Sequence, residues 1–283
     1  MKHFIKYFSA LLLFGLNGVV ASHITLSSYE IVYLRTMIGS LLLLGLFFLS
    51  GGTFHFQKYR RDNLFILLSG IAMGASWMFL YEAYQEIGVS LASLLYYCGP
   101  VIVMILSPVL FSERLTGWKI AGFLIVFSGI FLVNGVSSAI NRWGFLCGLL
   151  SAVMYSVMVI CNKQSKHVVG LENAAIQLTV SFLTVAVFTV AKKGIFIPVA
   201  RAEIPWILFL GLVNTGLGCY LYFSPLDQLP VQTVAVCGYL EPLSAVVFSA
   251  ILLHEQMSPL QILGAFCILG GTMLGELAGK KTV

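Results

Sequence analysis

Ten apolar runs of about twenty residues each, divided by short polar breaks, leave few folds open to this chain. They cover approximately residues 4–21, 27–49, 63–81, 88–110, 117–136, 143–161, 171–191, 204–223, 231–252 and 258–277. At about 1.5 Å per residue, a helix of roughly 20 residues crosses a hydrocarbon core of about 30 Å. Of the 283 residues, 59% are hydrophobic and 10% charged, against about 25% charged in a soluble domain. The expectation is an all-α integral membrane protein of ten transmembrane helices, with no room for a soluble domain in the connections. Gly88 and Pro230 open the fourth and ninth runs, and Thr116-Gly117 and Ser258-Pro259 open the fifth and tenth as N-cap and first-turn signals. Lys2, Lys6 and Val19-Val20-Ala21 have the outline of a signal peptide. That run also fills the first-helix place of an internal repeat, so it is read as an uncleaved span.

The repeat has an offset of 142 residues. Pro100, Ser107, Leu110, Glu113, Ile120, Gly122, Gly129 and Leu132 recur as Pro242, Ser249, Leu252, Glu255, Ile262, Gly264, Gly271 and Leu274, eight identities over 33 positions without a gap. About one position in ten would match by chance in so apolar a composition, roughly three in all. Tyr97 pairs with Tyr239 at the same offset. The chain divides into halves at 1–141 and 142–283, each with five runs. An odd number of spans inverts the second half relative to the first, and inverted repeats are the architecture of secondary transporters, with the substrate site near the midplane between them.

One polar residue breaks the symmetry. Glu241, followed by Pro242, falls near the middle of the ninth run, where its repeat mate is Gly99. A carboxylate at bilayer depth costs about 2.5–3.5 kcal/mol on insertion scales, so it faces protein or a wet cavity and marks a functional site. Pro242 removes a backbone donor and frees carbonyls near Gly238. A buried structural Glu is the bland alternative.

Basic residues set the orientation. With the N-terminus inside, Lys2, Lys6, Lys58, Arg60, Arg61, Arg114, Lys119, Lys163, Lys166, Lys280 and Lys281 are cytoplasmic, Arg142, Lys192, Lys193 and Arg201 are outside, and Arg35 lies within a span. Both termini are expected in the cytoplasm, in a multi-pass protein of the cell (inner or plasma) membrane. The net charge of +5 follows from that bias and implies no nucleic acid.

Tyr239-Leu-Glu-Pro242, Glu255, Gly264 and Gly270-Gly271 resemble the second EamA domain of the drug/metabolite transporter superfamily. Tyr97 to Pro100, Glu113, Gly122 and Gly129 are similar to the first, and Ser28 to Leu44, with Arg35, to that family's second helix. The resemblance runs over nearly the whole chain. It implies ten helices in two inverted halves around a central cavity, and transport of small metabolites or drugs, often export of amino acids and related compounds. Phe14-Gly15 departs from the Trp-Gly common in the first helix of members.

The remaining polar and aromatic residues each carry two readings. Trp77 and Tyr81, one turn apart on the third run, and Tyr96, Tyr97 and Tyr239 are candidates to line a substrate cavity with Glu241. Interhelical packing is the alternative, and an interfacial belt suffices for Tyr84 and would accommodate Tyr81. Asn17, Asn162 and Asn214 either line the cavity or bond helices together. Arg35 either snorkels outward, pairs with Glu30, or meets carbonyls in the interior, a structural role. Glu113 and Glu255, with Pro100 and Pro242, read as structural motif residues, the two carboxylates meeting the positive N-terminus of the helix that follows. The glycines of the fifth and tenth runs read as close packing.

Six cysteines lie in apolar runs without C-x-x-C or His-Cys ligand spacing, so neither disulfide nor metal is expected. No H-E-x-x-H, G-x-S-x-G or G-x-x-x-x-G-K-[ST] occurs, which argues against an enzyme and against ATP drive within the chain. No cofactor is implied. The reading is a secondary active transporter working by alternating access, exporting an amino acid or a related amphipathic or amine compound, with protons a candidate coupling ion. The alternatives are an importer of such compounds and a non-transporting accessory membrane protein. Monomer and homodimer both fit.

Overall fold

The computed structural model describes residues 2–54, 59–111, 117–135, 141–194, 197–223, 238 and 240–278, and every regular element among them is helical. Among the described residues, six helices are long and apolar enough to cross a membrane: His3–Ala21, Ser28–Leu49, Arg60–Ile87, Arg142–Gln164, Gly170–Lys193 and Arg201–Tyr222. Four shorter apolar helices, Val89–Val103, Ile120–Leu132, Leu240–Leu252 and Pro259–Gly271, lie where the fourth, fifth, ninth and tenth runs were expected.

Among the described residues, three of the expected runs are not continuous α-helix. The first is α1 (Lys2–Gly15) and α2 (Asn17–Ala21), interrupted at Leu16. Next come α3 (Ser28–Leu49) and α4 (Arg60–Ile87). The fourth run is α5 (Val89–Tyr96) and α6 (Gly99–Phe111), broken at Tyr97 and Cys98. Pro100 explains that break, because it has no N–H to give the Tyr96 carbonyl four residues back. Then follow α7 (Gly117–Gly135), α8 (Arg142–Gln164) and α9 (Gly170–Lys193). The eighth run is α10 (Ile204–Leu208), a π-helical stretch Phe209–Leu217, and α11 (Gly218–Phe223). The last two are α12 (Leu240–Leu252) and α13 (Pro259–Ala278).

Local chemistry starts these helices close to where the apolar runs begin. Ser27 and Glu30 form a capping box on α3. The Asn141 side chain accepts from the Trp143 and Gly144 N–H groups at the head of α8. Ser258 and Gln261 cap α13 reciprocally, at 2.8 and 3.3 Å. Between α8 and α9, Asn162 donates to Asn173 at 3.2 Å and to Gln177 at 2.7 Å, so this amide serves as interhelical glue.

The long helices pack as a bundle, α4 on α8 and α9, α3 on α9 and the π stretch, α1 on α11 and α12, and α5 on α8 and α12. The α7–α13 pair stands to one side, packed chiefly on itself. A Cβ on Gly129 would lie 2.7 Å from the Gly264 carbonyl, and one on Gly271 would lie 2.8 Å from that of Gly122. The contact is therefore antiparallel and reciprocal, each helix laying a glycine on the other's backbone. Ion pairs and hydrogen bonds pin the helix ends. Lys193 meets Glu30 at 3.1 Å at one end of the bundle. At the other, Asp62 accepts from the backbone N–H groups of Lys166 and His167 at 2.9 and 2.8 Å.

Candidate functional site

Glu241 lies in the first turn of α12, with Pro242 buried behind it and Ser244 donating to the Glu241 carbonyl at 2.9 Å. The Tyr97 hydroxyl interacts with the Glu241 carboxyl and donates, at 3.4 Å, to the Gly238 carbonyl, one of those that Pro242 was expected to leave free. Tyr7 on α1, Tyr84 on α4, Tyr96 on α5 and Tyr222 on α11 are all within electrostatic reach of the same carboxyl. The rings touch in pairs: Tyr7 and Tyr222 at 5.1 Å between centroids, Tyr96 and Tyr155 at 5.0 Å, Tyr96 and Tyr97 at 5.7 Å. One carboxyl thus sits in a shell of phenol rings. Such rings supply apolar faces to a ligand and hydroxyls that serve the acid in either protonation state.

Arg35 faces this shell from α3. It is 2% exposed and does not snorkel. Its Nε donates to Thr215 Oγ1 at 2.9 Å, its Nη1 donates to the Tyr81 hydroxyl, and its guanidinium lies over the rings of Trp77 (4.4 Å) and Tyr81 (5.0 Å). Thr215 reaches it from the π stretch, where its own hydroxyl donates to the Leu210 carbonyl five residues back, at 2.8 Å. The widened turn is what presents Thr215, and such departures from α-helix cluster at functional sites. Glu30, the partner considered for Arg35, is engaged by Ser27 and Lys193 instead. Arg35 and Glu241 are opposite charges in electrostatic reach of each other across one interior.

A cavity of about 270 Å³ borders Tyr81 and Tyr84, one from each group. Its walls include Gly18, Ser22, Tyr81, Tyr84, Gln85 and Val89, at the ends of α2 and α4 and the head of α5. Tyr81 has Arg35 directly behind it and Tyr84 belongs to the shell of Glu241. Tyr81 is buried and Tyr84 half-buried against this cavity. Tyr81 is 1% exposed, because α4 continues to Ile87, six residues past the expected end of the third run.

At the cavity mouth, Glu255 departs from expectation. Its carboxylate does not cap the helix that follows it. Instead Oε1 accepts from the Val89 N–H at 2.8 Å and Oε2 from the Ser90 N–H at 3.0 Å, capping α5. Gly88 makes room, with φ of +82° and a position where a Cβ would lie 2.9 Å from that carboxylate. Burial pushes the Glu255 carboxyl up, but hydrogen bonds from Ser249 and from the Ser90 and Val89 N–H groups outweigh it and hold the pKa below the ordinary carboxylate value.

The structure thus brings Glu241, Tyr97 and Tyr96 into one group and Arg35, Trp77 and Tyr81 into a second beside it. Asn17 and Asn214 form a pair of their own. Asn214 donates to Asn17 at 3.1 Å and to the Leu13 carbonyl at 3.0 Å, tying the π stretch to α1 and α2 one residue before Thr215. Tyr239 and Glu113 lie outside the described residues. Sequence reasoning passed over Tyr7, Tyr155 and Thr215, and gave no role to Tyr222. A tyrosine hydroxyl inside an apolar run needs a partner, and that rule, applied to Tyr7 and Tyr155, would have flagged both. Among the described residues no three His, Cys, Asp or Glu side chains come together as metal ligands.

The profile of the EamA-like transporter family matches residues 3–135 and again 142–275. The uncharacterized transporter YxxF of Bacillus subtilis is 24% identical over 276 residues, spanning 95% of this chain and 88% of the relative. The threonine/homoserine exporter RhtA of Escherichia coli K12 is 24% identical over 261 residues, spanning 88% of this chain and 81% of the relative. A crystal structure with 16% identity superposes at a TM-score of 0.67 over 99% of both chains, a likeness of fold.

Proposed function

Since the chain belongs to the EamA-like transporter family, we propose that it is a secondary active transporter that exports an amino acid or a related small amine by alternating access. The observation that carries this reading is the origin of the two interior charges. Arg35 comes from the first half of the chain and Glu241 from the second, and the tyrosines around them come from both. A site assembled from two halves is remade whenever the halves rock against one another, as alternating access requires. The relative named as a threonine/homoserine exporter supports the substrate class and the direction.

The halves are 1–141 and 142–283, inverted, with ten helices in all. The reciprocal glycine contact of α7 and α13 supports that arrangement, since Gly122/Gly264 and Gly129/Gly271 are repeat mates. Both termini are cytoplasmic in this reading. A reporter fused after Val283 will then be active only in its cytoplasmic form, and activity of a form that works outside the membrane overturns the topology.

Glu241 is the coupling site. It carries either the proton of an antiport cycle or the counter-charge for a substrate ammonium, with Tyr97 and Tyr96 beside it, Trp77 and Tyr81 beside Arg35, and Asn17 and Asn214 tying the π stretch to the first span. Purified protein in liposomes, loaded with labelled threonine, homoserine, phenylalanine or a biogenic amine, will show saturable efflux enhanced by a proton gradient. Efflux no faster than from empty liposomes for the whole panel sinks the transporter reading and leaves an accessory role.

A further inference from the structure

Arg35 is set in an apolar span and surrounded by neutral partners. A buried guanidinium is costly unless an anion compensates it. Among the described residues no carboxylate lies within 4.0 Å of it; the ion pairs found there are Lys193–Glu30 and His167–Asp62. A guanidinium has five N–H donors. Thr215 and Tyr81 each accept one, and no other described residue accepts any. The rings of Trp77 and Tyr81 beneath it fix the plane of the fork without neutralising it. Tyr81 is also a wall of the cavity, so one side chain separates the charge from the space a ligand would occupy.

We propose that the Arg35 guanidinium is the anion subsite of this cavity, taking the carboxylate of a zwitterionic substrate whose ammonium faces Glu241. The inference rests on the transporter reading above and gives the site its polarity. A planar fork held by ring faces matches a carboxylate bidentately, which a lysine ammonium does not. Thr215 takes the Nε–H and Tyr81 one Nη1–H, which leaves the second Nη1–H and both Nη2–H groups for a ligand. The π stretch at Thr215 is the local distortion that makes this grip.

Trp77 reports on the subsite directly. Trp118, Trp143 and Trp206, the other tryptophans of the chain, are each exposed and can be replaced by Phe. The full-length protein, purified with Trp77 alone, is titrated with L-threonine, L-phenylalanine and L-leucine, and in parallel with their carboxamides. The acids will change Trp77 emission saturably, with the amides at least tenfold weaker. Arg35→Lys in the same background will weaken the acids at least tenfold and leave the amides unchanged. Amides that bind as well as acids, no response to any acid, or a lysine variant that binds acids like the parent each overturn the proposal. The acid–amide comparison needs no variant at Arg35, so misfolding of the lysine form does not blunt it. The flux assay keeps the two readings apart. Efflux of amines with no carboxylate dependence removes the anion subsite and leaves a transporter. Absence of any efflux removes transport even where Trp77 responds.

Discussion

Glu241→Gln will abolish proton-driven accumulation of substrate while leaving the protein folded. Glutamine keeps the volume and the acceptor oxygen that Tyr97 addresses, so the packing of α12 on α1 and α5 is undisturbed. What disappears is the charge and the proton. Loss of one member of a desolvated charge arrangement costs about 2–5 kcal/mol, at least about 30-fold in the affinity or rate that depends on it. The two roles open to Glu241 give different residues of activity. If it is the proton carrier, the variant still exchanges labelled substrate across the membrane but no longer accumulates it against a gradient. If it is the counter-charge for an ammonium, binding of amines falls at every pH. The measurement is counterflow and gradient-driven uptake in liposomes between about pH 6 and 8. Wild-type affinity, rate and pH dependence together make Glu241 structural and end its assignment as the site.

The second large effect belongs to Glu255. Replacing it by Ala removes both acceptors from the head of α5 and leaves the Val89 and Ser90 N–H groups, which its oxygens now hold at 2.8 and 3.0 Å, without partners at the cavity mouth. Loss of such a charged cap costs about 1–3 kcal/mol, read as a lower midpoint for thermal unfolding in detergent. Glu255→Gln, with one acceptor oxygen, falls between. The pH dependence has a definite sign. The folded pKa is depressed, so the contribution is complete above the unfolded value of about 4.3 and is lost as pH falls through the folded one. The gap in stability between the parent and Glu255→Gln will therefore be constant near neutrality and will close on acidification below about pH 4. A gap that persists undiminished to about pH 3, or an alanine variant as stable as the parent, contradicts the cap.

What could be read from the residues, and what could not, divides along physical lines. Apolar length and the Ser258-Pro259 signal are local, and they placed helix starts within a few residues of Ser27, Asn141 and Ser258; the break before Pro100 was not anticipated, although the missing N–H of that proline is as local a property. The partner of Glu255 was not local. Sequence proximity pointed to the next helix, whereas its oxygens reach Val89 and Ser90, more than 160 residues away. From the residues alone an interfacial belt suffices for Tyr84 and would accommodate Tyr81, yet α4 runs on to Ile87, Tyr81 is buried beneath Arg35 and Tyr84 lines the cavity. Thr215 carries no signal at all in one dimension. Its role depends on a π stretch that composition does not encode and on an arginine 180 residues distant. Glu241 could be singled out as a candidate because its cost in lipid is a property of the residue itself, independent of what surrounds it.

The glycine contact between α7 and α13 has a bearing on how such a protein can diversify. Gly129 on Gly264 and Gly271 on Gly122 is the isologous contact that two identical copies of one half would make with each other. Held in separate chains, the two partners would be bound to carry the same residue at every position, and their meeting would depend on dilution. Joined in one chain, they meet at a local concentration that dilution does not touch, and mates no longer have to agree. A glycine at 99 and a glutamate at 241 become compatible. In the two-half arrangement proposed above, a site with one acid instead of two opposed ones can then evolve on a nearly symmetric scaffold.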